Sequence, residues 1–577
     1  MTLLPFGNLT VHTPRQLVPA AIDLGDWNAI APLFAAVEKR ISDALSAAEL
    51  ERALLDWSEL SAALDEESAK RYIAMTCHTD NADAEKSYLQ FVEQVEPQTK
   101  PRQFKLEQLY LASPHRAQLP PARYEVFDRD TKQHVELFRP ENVALETEEA
   151  KLGQQYQKIS GALTVQFQGE EKTLTQMGKF LEEPDRALRQ ETWQLSVQRR
   201  LQERDKFDDI FDGLVKLRGD IARNAGFANY RDYAFKARGR FDYTPEDCFA
   251  FHDAIEKEVV PLQRELQAHR REQLKLPALR PWDLSVDPLN RPALKPFEQV
   301  PQMVLRTQRI FDQIDPGLAQ GFVTMRQQHL LDLDNRKGKA PGGYQSTLPE
   351  SRLPFIFMNA VGQQRDVETM LHEAGHAFHA LATREEPLYA YRGAPIEFCE
   401  VASMSMELLG AEFIEEFYPD ADDARRARRT HLEGIVGVFP WIATVDAFQH
   451  WIYTHPNHTR DERRAAWLAL MDRFGGDADW SGHEDARANL WHKQLHIFLY
   501  PFYYVEYAIA QLGALQVWAN SKRDKVAALA DYQRGLALGN SRPLPELFAA
   551  AGCQFSFTSA TVKPLVQLVK TELAKLN

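Results

Sequence analysis

Apolar residues recur at three- and four-residue spacing along most of the chain, which predicts a mainly α protein. Long helical segments are expected over Trp27–Leu64, Asp83–Glu96 and Glu182–Asn224, all rich in Ala, Leu, Glu, Arg and Gln. Gly226 stops one helix, and Thr244-Pro245-Glu246-Asp247 supplies the cap and first turn of the next. The alternating segment Tyr124–Leu137 and the stretch Ala162–Leu174 read as short strands. The proline-rich run Leu276–Pro301 reads as an ordered excursion or a crossing between lobes. A second irregular stretch, Asp332–Pro349, carries Gly338, Gly342 and Gly343. Soon after it comes Phe355-Ile356-Phe357-Met358, the best strand candidate in the second half.

Composition changes this picture in three ways. A chain of 577 residues that is 44% hydrophobic is too long for one compact unit, so two helical lobes are expected. Residues 1–185 form an N-terminal, mostly helical lobe, and 186–577 form the region that carries the chemistry. A net charge of −14 argues against nucleic acid as a partner, because phosphate backbones select a basic face. Four widely spaced cysteines and a start without an apolar leader point to a reducing, cytoplasmic setting. The most apolar later stretch, Ile435–Tyr453, contains Pro440, Asp446, Gln449 and His450. It therefore reads as a buried helix and not as a membrane span.

Chemistry concentrates in Asp366-Val-Glu-Thr-Met-Leu-His372-Glu373-Ala-Gly-His376-Ala-Phe-His379. Two histidines four residues apart on a helix differ by about 40° around its axis, so both can face one metal ion. Glu373 is placed to reach a water on that ion without ligating it, and is the candidate base. Asp366 is the expected N-cap of a helix over 366–383. A third ligand is available in Glu400, which follows His376 by 24 residues on a second helix starting at Pro395. Two imidazoles and one carboxylate make a catalytic zinc site with an open position, holding one Zn2+. Glu397 is either a supporting residue or solvent-facing; Cys399 and His379 read as buried structural side chains.

Such an ion needs partners for charge developing on a carbonyl oxygen. His496, Tyr500, Tyr504 and Tyr507 supply suitable donors, although an aromatic cluster at this spacing is equally the mark of a packed core.

With these residues assembled, the sequence resembles the thimet oligopeptidase and oligoendopeptidase F family of zinc metallopeptidases, closer to the bacterial oligoendopeptidase side. Three blocks carry the likeness: Leu348–Asn359, Thr369–His379 continuing to the Glu400 segment, and His496–Tyr507, with a weaker echo over Leu217–Tyr230. The resemblance implies two helical lobes around a deep substrate channel, with a zincin-type core and a small edge sheet. It implies His372, His376 and Glu400 as ligands, Glu373 as base, and His496, Tyr500, Tyr504 and Tyr507 opposite the metal. Tyr507 is the first choice as carbonyl-oxygen donor, and Phe355–Asn359 is the expected edge strand that pairs with substrate backbone. One departure is plain. Where the thimet branch has a glycine-rich stretch after the histidine, this chain has apolar Ile497–Pro501, and its histidine-to-tyrosine spacing is one residue shorter. The expected activity is hydrolysis of internal bonds in short peptides by a proteolytic hydrolase with an H-E-x-x-H motif. The expected partners are peptides, with neither nucleic acid nor membrane. An exopeptidase (a dipeptidyl carboxypeptidase or a zinc carboxypeptidase) and a non-catalytic zinc-containing peptide-binding protein are the alternatives.

Overall fold

The computed structural model describes residues 4–576, and helices dominate it. Helix α1 (Trp27–Asp43) begins where the Asp26 side chain accepts from the Asn28 N–H. Helix α2 (Ala47–Cys77) begins where Ser46 accepts from the Glu49 N–H. The segment Trp27–Leu64 is thus two helices, because the chain leaves the helical conformation at Ala44–Ser46 to present that cap. The expected Asp83–Glu96 helix runs over Ala82–Gln94.

Tyr124–Leu137 is not a strand. It lies in a helix, Pro121–Leu137, that opens on a proline and buries Tyr124, Phe127 and Thr131 at helical spacing. Phe127 packs edge-on against Tyr110 at 5.1 Å and Trp57 at 6.1 Å, and this burial overrides the local alternation. Ala162–Leu174 does contain strands. These are the hairpin β1 (Thr164–Phe167) and β2 (Glu170–Thr173), which turns through Gln168 and Gly169, both at positive φ.

The segment Glu182–Asn224 divides at Gln202–Glu203 into α3 (Arg186–Leu201) and α4 (Arg204–Asn224). Helix α4 ends as expected at Gly226, with φ +87°. There Gly226 N–H donates to Arg223 O and Phe227 N–H to Ala222 O. Helix α5 (Pro245–Ala254) carries the reciprocal Thr244–Asp247 cap.

A three-stranded sheet follows, in the order β3 (Leu331–Asp334), β5 (Leu353–Ala360), β4 (Tyr344–Leu348). Strand β5 runs parallel to β3 and antiparallel to β4, with Ile356 opposite Gln345 and Phe357 opposite Tyr344. The expected edge strand Phe355–Asn359 is therefore the central one, buried on both faces, and β4 forms the edge. Glycines 342 and 343 made that segment look irregular in sequence, yet strand pairing begins directly after them. Buried Lys339 anchors the intervening loop: its ammonium donates to Asp332 O at 3.0 Å and Asp334 O at 2.9 Å and lies 4.4 Å from the Phe357 ring.

Helix α6 (Gln364–Ala382) starts after Gly362, φ +89°. The expected cap Asp366 lies three residues inside instead, where it accepts from Val361 and Gln363 N–H groups as the acidic half of a capping box. Helix α7 (Ile396–Ala411) begins at Pro395 as expected, and lies antiparallel to α6: Gly375 meets Ala402 and Ser403, while Leu371 meets Gly410. Tyr532 donates to Ala402 O at 2.8 Å, and Phe548 packs against Phe398, so the later chain also covers α7. Helices α8 (Ala421–Thr454) and α9 (Tyr504–Arg523) complete the framework, α8 containing the buried run Ile435–Tyr453.

The chain forms two compact units, each assembled from three stretches. Unit 1 comprises residues 1–136, 294–428 and 510–555, and unit 2 comprises 137–293, 429–509 and 556–577. The chain leaves unit 2 within the proline-rich run Leu276–Pro301, as a crossing requires. Unit 1 holds the sheet, α6, α7 and a core built around Phe34, Leu54, Leu60, Tyr110 and Tyr391. No helix among the described residues is long and apolar enough to cross a membrane.

The α6–α7 crossing admits no side chain at Gly375, where a Cβ would lie 2.6 Å from Ala402 O and from Ser403 Cα. Gly375→Ala should destabilise the protein by about 1–3 kcal/mol, read as a lowered urea midpoint. An unchanged midpoint would show that the helices can separate freely.

Candidate metal centre

The tight crossing of α6 and α7 sets the geometry of the first unit's polar cluster. His372 and His376 lie on the same side of α6, their rings nearly perpendicular (85°) with centroids 4.9 Å apart. From α7, Glu400 Oε2 reaches to 3.3 Å from His372 Nε2 and 3.6 Å from His376 Nε2. Three donor atoms thus converge within 4.8 Å of one another. Ser403 Oγ donates to Glu400 Oε2 at 2.8 Å and steadies the carboxylate. Glu407, two turns along α7, accepts from His372 Nδ1 at 2.6 Å, which leaves Nε2 as the ring nitrogen directed at the cluster. A nitrogen–nitrogen–oxygen set with one imidazole held from behind by a carboxylate fits a divalent ion of the zinc type.

Electrostatics show the same competition for one positive charge. Burial opposes a charged His372, but its hydrogen bond to Glu407 and the neighbouring carboxylates win, raising it to about 9. His376 is pushed down to about 3 by burial and by His372. Burial raises the Glu400 carboxyl against the pull of His372 and Ser403. Glu373, on the buried side of α6, is pushed up to about 7, chiefly by burial and also by Glu400; His372 and the backbone N–H of Gln345 on β4 pull the other way.

His379 is fully buried three residues beyond His376, has no protein hydrogen-bond partner on Nε2 and is held neutral by burial. Cys399 gives its thiol to Ala394 O at 3.2 Å, and Glu397 is buried. Glu407 is the residue the sequence reading missed. The signal was present, since a carboxylate seven residues after Glu400 returns to the same helical face.

His496, Tyr500, Tyr504 and Tyr507 gather in unit 2. Their rings surround the imidazole at centroid distances of 6.2, 4.8 and 6.0 Å from Tyr500, Tyr504 and Tyr507. Tyr503 of the same segment stacks on it at 5.8 Å. Trp441 Nε1 donates to Gln494 Oε1 at 2.9 Å, and Gln494 Nε2 donates to His496 Nδ1 at 2.8 Å. That relay puts the ring proton on Nε2. Burial, with help from the charge of Arg238, holds His496 down at about 4, so the ring is a neutral N–H donor near neutral pH.

The apolar run Ile497–Pro501 also has its explanation here. Ile497 and Phe498 are buried, and Phe498 stacks on Tyr156 at 4.0 Å. Buried Arg218 donates to Phe498 O at 2.5 Å and Tyr453 OH at 2.7 Å, and Arg238 donates to Pro501 O at 2.8 Å. Phe502 adopts φ +64°, costly for a bulky residue; Gln449 accepts from its N–H at 2.7 Å and Arg240 donates to its carbonyl. The strap between His496 and Tyr504 is therefore pinned at the Phe498, Pro501 and Phe502 carbonyls and the Phe502 N–H.

Comparison with known proteins agrees with this architecture. The model of peptidase family M3 matches residues 179–566, and that of the peptidase M3 N-terminal domain matches residues 22–138. The chain belongs to peptidase family M3. It is 23% identical over 395 residues to the oligopeptidase PepF of Bacillus subtilis, covering 67% of this chain and 57% of that protein. It is 24% identical over 403 residues to the group B oligopeptidase PepB of Streptococcus agalactiae, covering 67% and 63%. The matched part thus spans less than two thirds of these relatives' lengths. PZ peptidase A, solved with an inhibitor, superposes with a TM-score of 0.86 at 28% identity, covering 97% of this chain and 99% of its own.

If Glu407 holds His372 in place, Glu407→Ala should weaken binding of a divalent ion by roughly 10- to 100-fold. Competition against a chromophoric chelator measures this, and an unaltered affinity would remove Glu407 from the centre.

Proposed function

We propose that this chain is a zinc-dependent oligoendopeptidase that hydrolyses internal peptide bonds of short, unstructured peptides in the cytoplasm. The observation that carries the reading is the convergence of His372, His376 and Glu400 beside the buried carboxyl of Glu373, in a chain of peptidase family M3. The relatives named oligopeptidase support the substrate class, and four unpaired cysteines support a reducing setting.

His372 Nε2, His376 Nε2 and a Glu400 oxygen would hold the zinc ion. When bound, the ion supplies a Lewis acid that polarises the scissile carbonyl and acidifies water. Glu373 takes the proton from the attacking water and hands it to the departing amine, a role suited to a carboxyl whose proton affinity is raised by burial. The edge strand β4, which has no strand partner among the described residues on the side away from β5, would pair there with an extended peptide and register the scissile bond. Tyr507, with the neutral Nε2–H of His496, donates to the oxyanion that forms on the carbonyl oxygen. The rigid strap from Ile497 to Phe502 holds that pair in fixed orientation without a glycine-rich hinge.

Glu373→Gln should cut turnover by at least about 10²-fold with metal content unchanged by elemental analysis; loss of metal together with activity would overturn its role as base. Tyr507→Phe should lower kcat by about 10²-fold with little change in KM. An unchanged kcat would remove it from the chemistry. Mass-spectrometric mapping of peptides of graded length, before and after chelation and zinc restoration, tests the activity as a whole. Chelator-sensitive internal cuts are expected, with a folded protein left intact. Cuts confined to the terminal one or two residues would make the protein an exopeptidase, and no cleavage would make it a binding protein.

A further inference from the structure

Unit 2 buries another set of metal-ligating side chains, none of them used above. Cys248 and His252 stand one turn apart on α5, and Asp446 and His450 one turn apart on α8. A Cys248 thiol, an Asp446 carboxylate oxygen and a His450 ring nitrogen all lie within 4.8 Å of one another. Ligand atoms around tetrahedral zinc sit roughly 3.3–3.8 Å apart, given bonds near 2.0 Å to nitrogen or oxygen and 2.3 Å to sulfur. Closure onto an ion therefore needs only a small inward adjustment. Asp446 is fully buried and His450 is 3% exposed.

The hydrogen bonding of this set is incomplete. His252 Nε2 lies 2.8 Å from Asp446 Oδ2 and satisfies that oxygen. Asp446 Oδ1 and both ring nitrogens of His450 have no protein partner. His450 Nε2 is 3.4 Å from Asp446 Oδ2, out of hydrogen-bonding geometry. Aromatic rings close the surroundings, with Phe249 at 4.9 Å and Phe502 at 5.3 Å from the imidazole. The neighbouring cation, Arg240, is engaged by the Glu506 carboxylate at 3.0 Å and by Phe502 O. Buried polar atoms of this kind are rarely left without a partner. One carboxylate and one thiolate also balance a dication, so the filled site would be electrically neutral, as burial demands.

We infer that Cys248, Asp446 and His450 hold a second divalent ion of the zinc type, with His252 orienting the carboxylate from behind. With three protein ligands, the ion would join α5 to α8 inside unit 2 and displace the thiol proton on binding. A Cys-x-x-x-His and an Asp-x-x-x-His pair on packed helices would then act as a cross-link in a chain without disulfides.

Cobalt separates this site from the catalytic one, because only a cysteine ligand gives thiolate-to-cobalt charge transfer in the near ultraviolet. Protein produced with Co2+ as the sole transition metal should contain two ions per chain and show that band. His376→Ala should retain one ion and the band. Cys248→Ser should lose the band and one ion while keeping peptidase activity. One ion per chain without the band in wild-type protein, or a metal-free His376→Ala, overturns the inference and leaves the set as a buried polar cluster. A band that persists in Cys248→Ser overturns it too. Should Cys248→Ser fail to fold, the wild-type and His376→Ala measurements decide alone.

Discussion

The candidate centre rests on the close approach of two antiparallel helices. With Gly375 lying flat against Ala402 and Ser403, the axes of α6 and α7 come near enough for Glu400 to reach both histidines. Any larger residue would hold the helices apart by about the width of a methyl group. Donor atoms now 3.3 and 3.6 Å apart would then part company. The surrounding structure enforces the approach from both sides: β5 supports α6, and Tyr532 and Phe548 press on α7. The polar residues can thus stay buried in a strained electrostatic arrangement because apolar packing has already fixed where they lie.

The two clusters are built by different means. Around His372 the support is charge, with Glu407 behind the ring and Glu400 in front. Around His496 it is dipoles and backbone: a Trp–Gln relay fixes one nitrogen, and arginine side chains grip the following carbonyls. The carboxylates around His372 favour its charged ring, whereas burial keeps His496 neutral, and each environment selects that state.

Much of this was legible in the sequence. The spacing of His372, Glu373 and His376, together with Glu400 on a helix opened by Pro395, anticipates the cluster, because helical periodicity alone places side chains on a face. Gly226 and Thr244 likewise marked real helix ends. What escaped depended on tertiary contacts. Tyr124–Leu137 alternates locally but is helical, since Phe127 has Tyr110 and Trp57 to pack against. Phe355–Met358 was recognisable as a strand but not as the central one, because partners on both sides come from a loop that glycines had disguised. Glu407 shares a helical face with Glu400, but its role appears only once the structure shows His372 Nδ1 donating to it.

The order in which unit 1 is assembled has a consequence for synthesis on the ribosome. Helix α7 is covered by Tyr532 and Phe548, which emerge more than a hundred residues after Glu400. Until they arrive, the part of α7 that they cover faces water, and the α6–α7 crossing stands without that support. A chain that has emerged only as far as α7 therefore has both halves of the α6–α7 crossing but none of the later cover, so the last hundred-odd residues bear on a site that contains none of them.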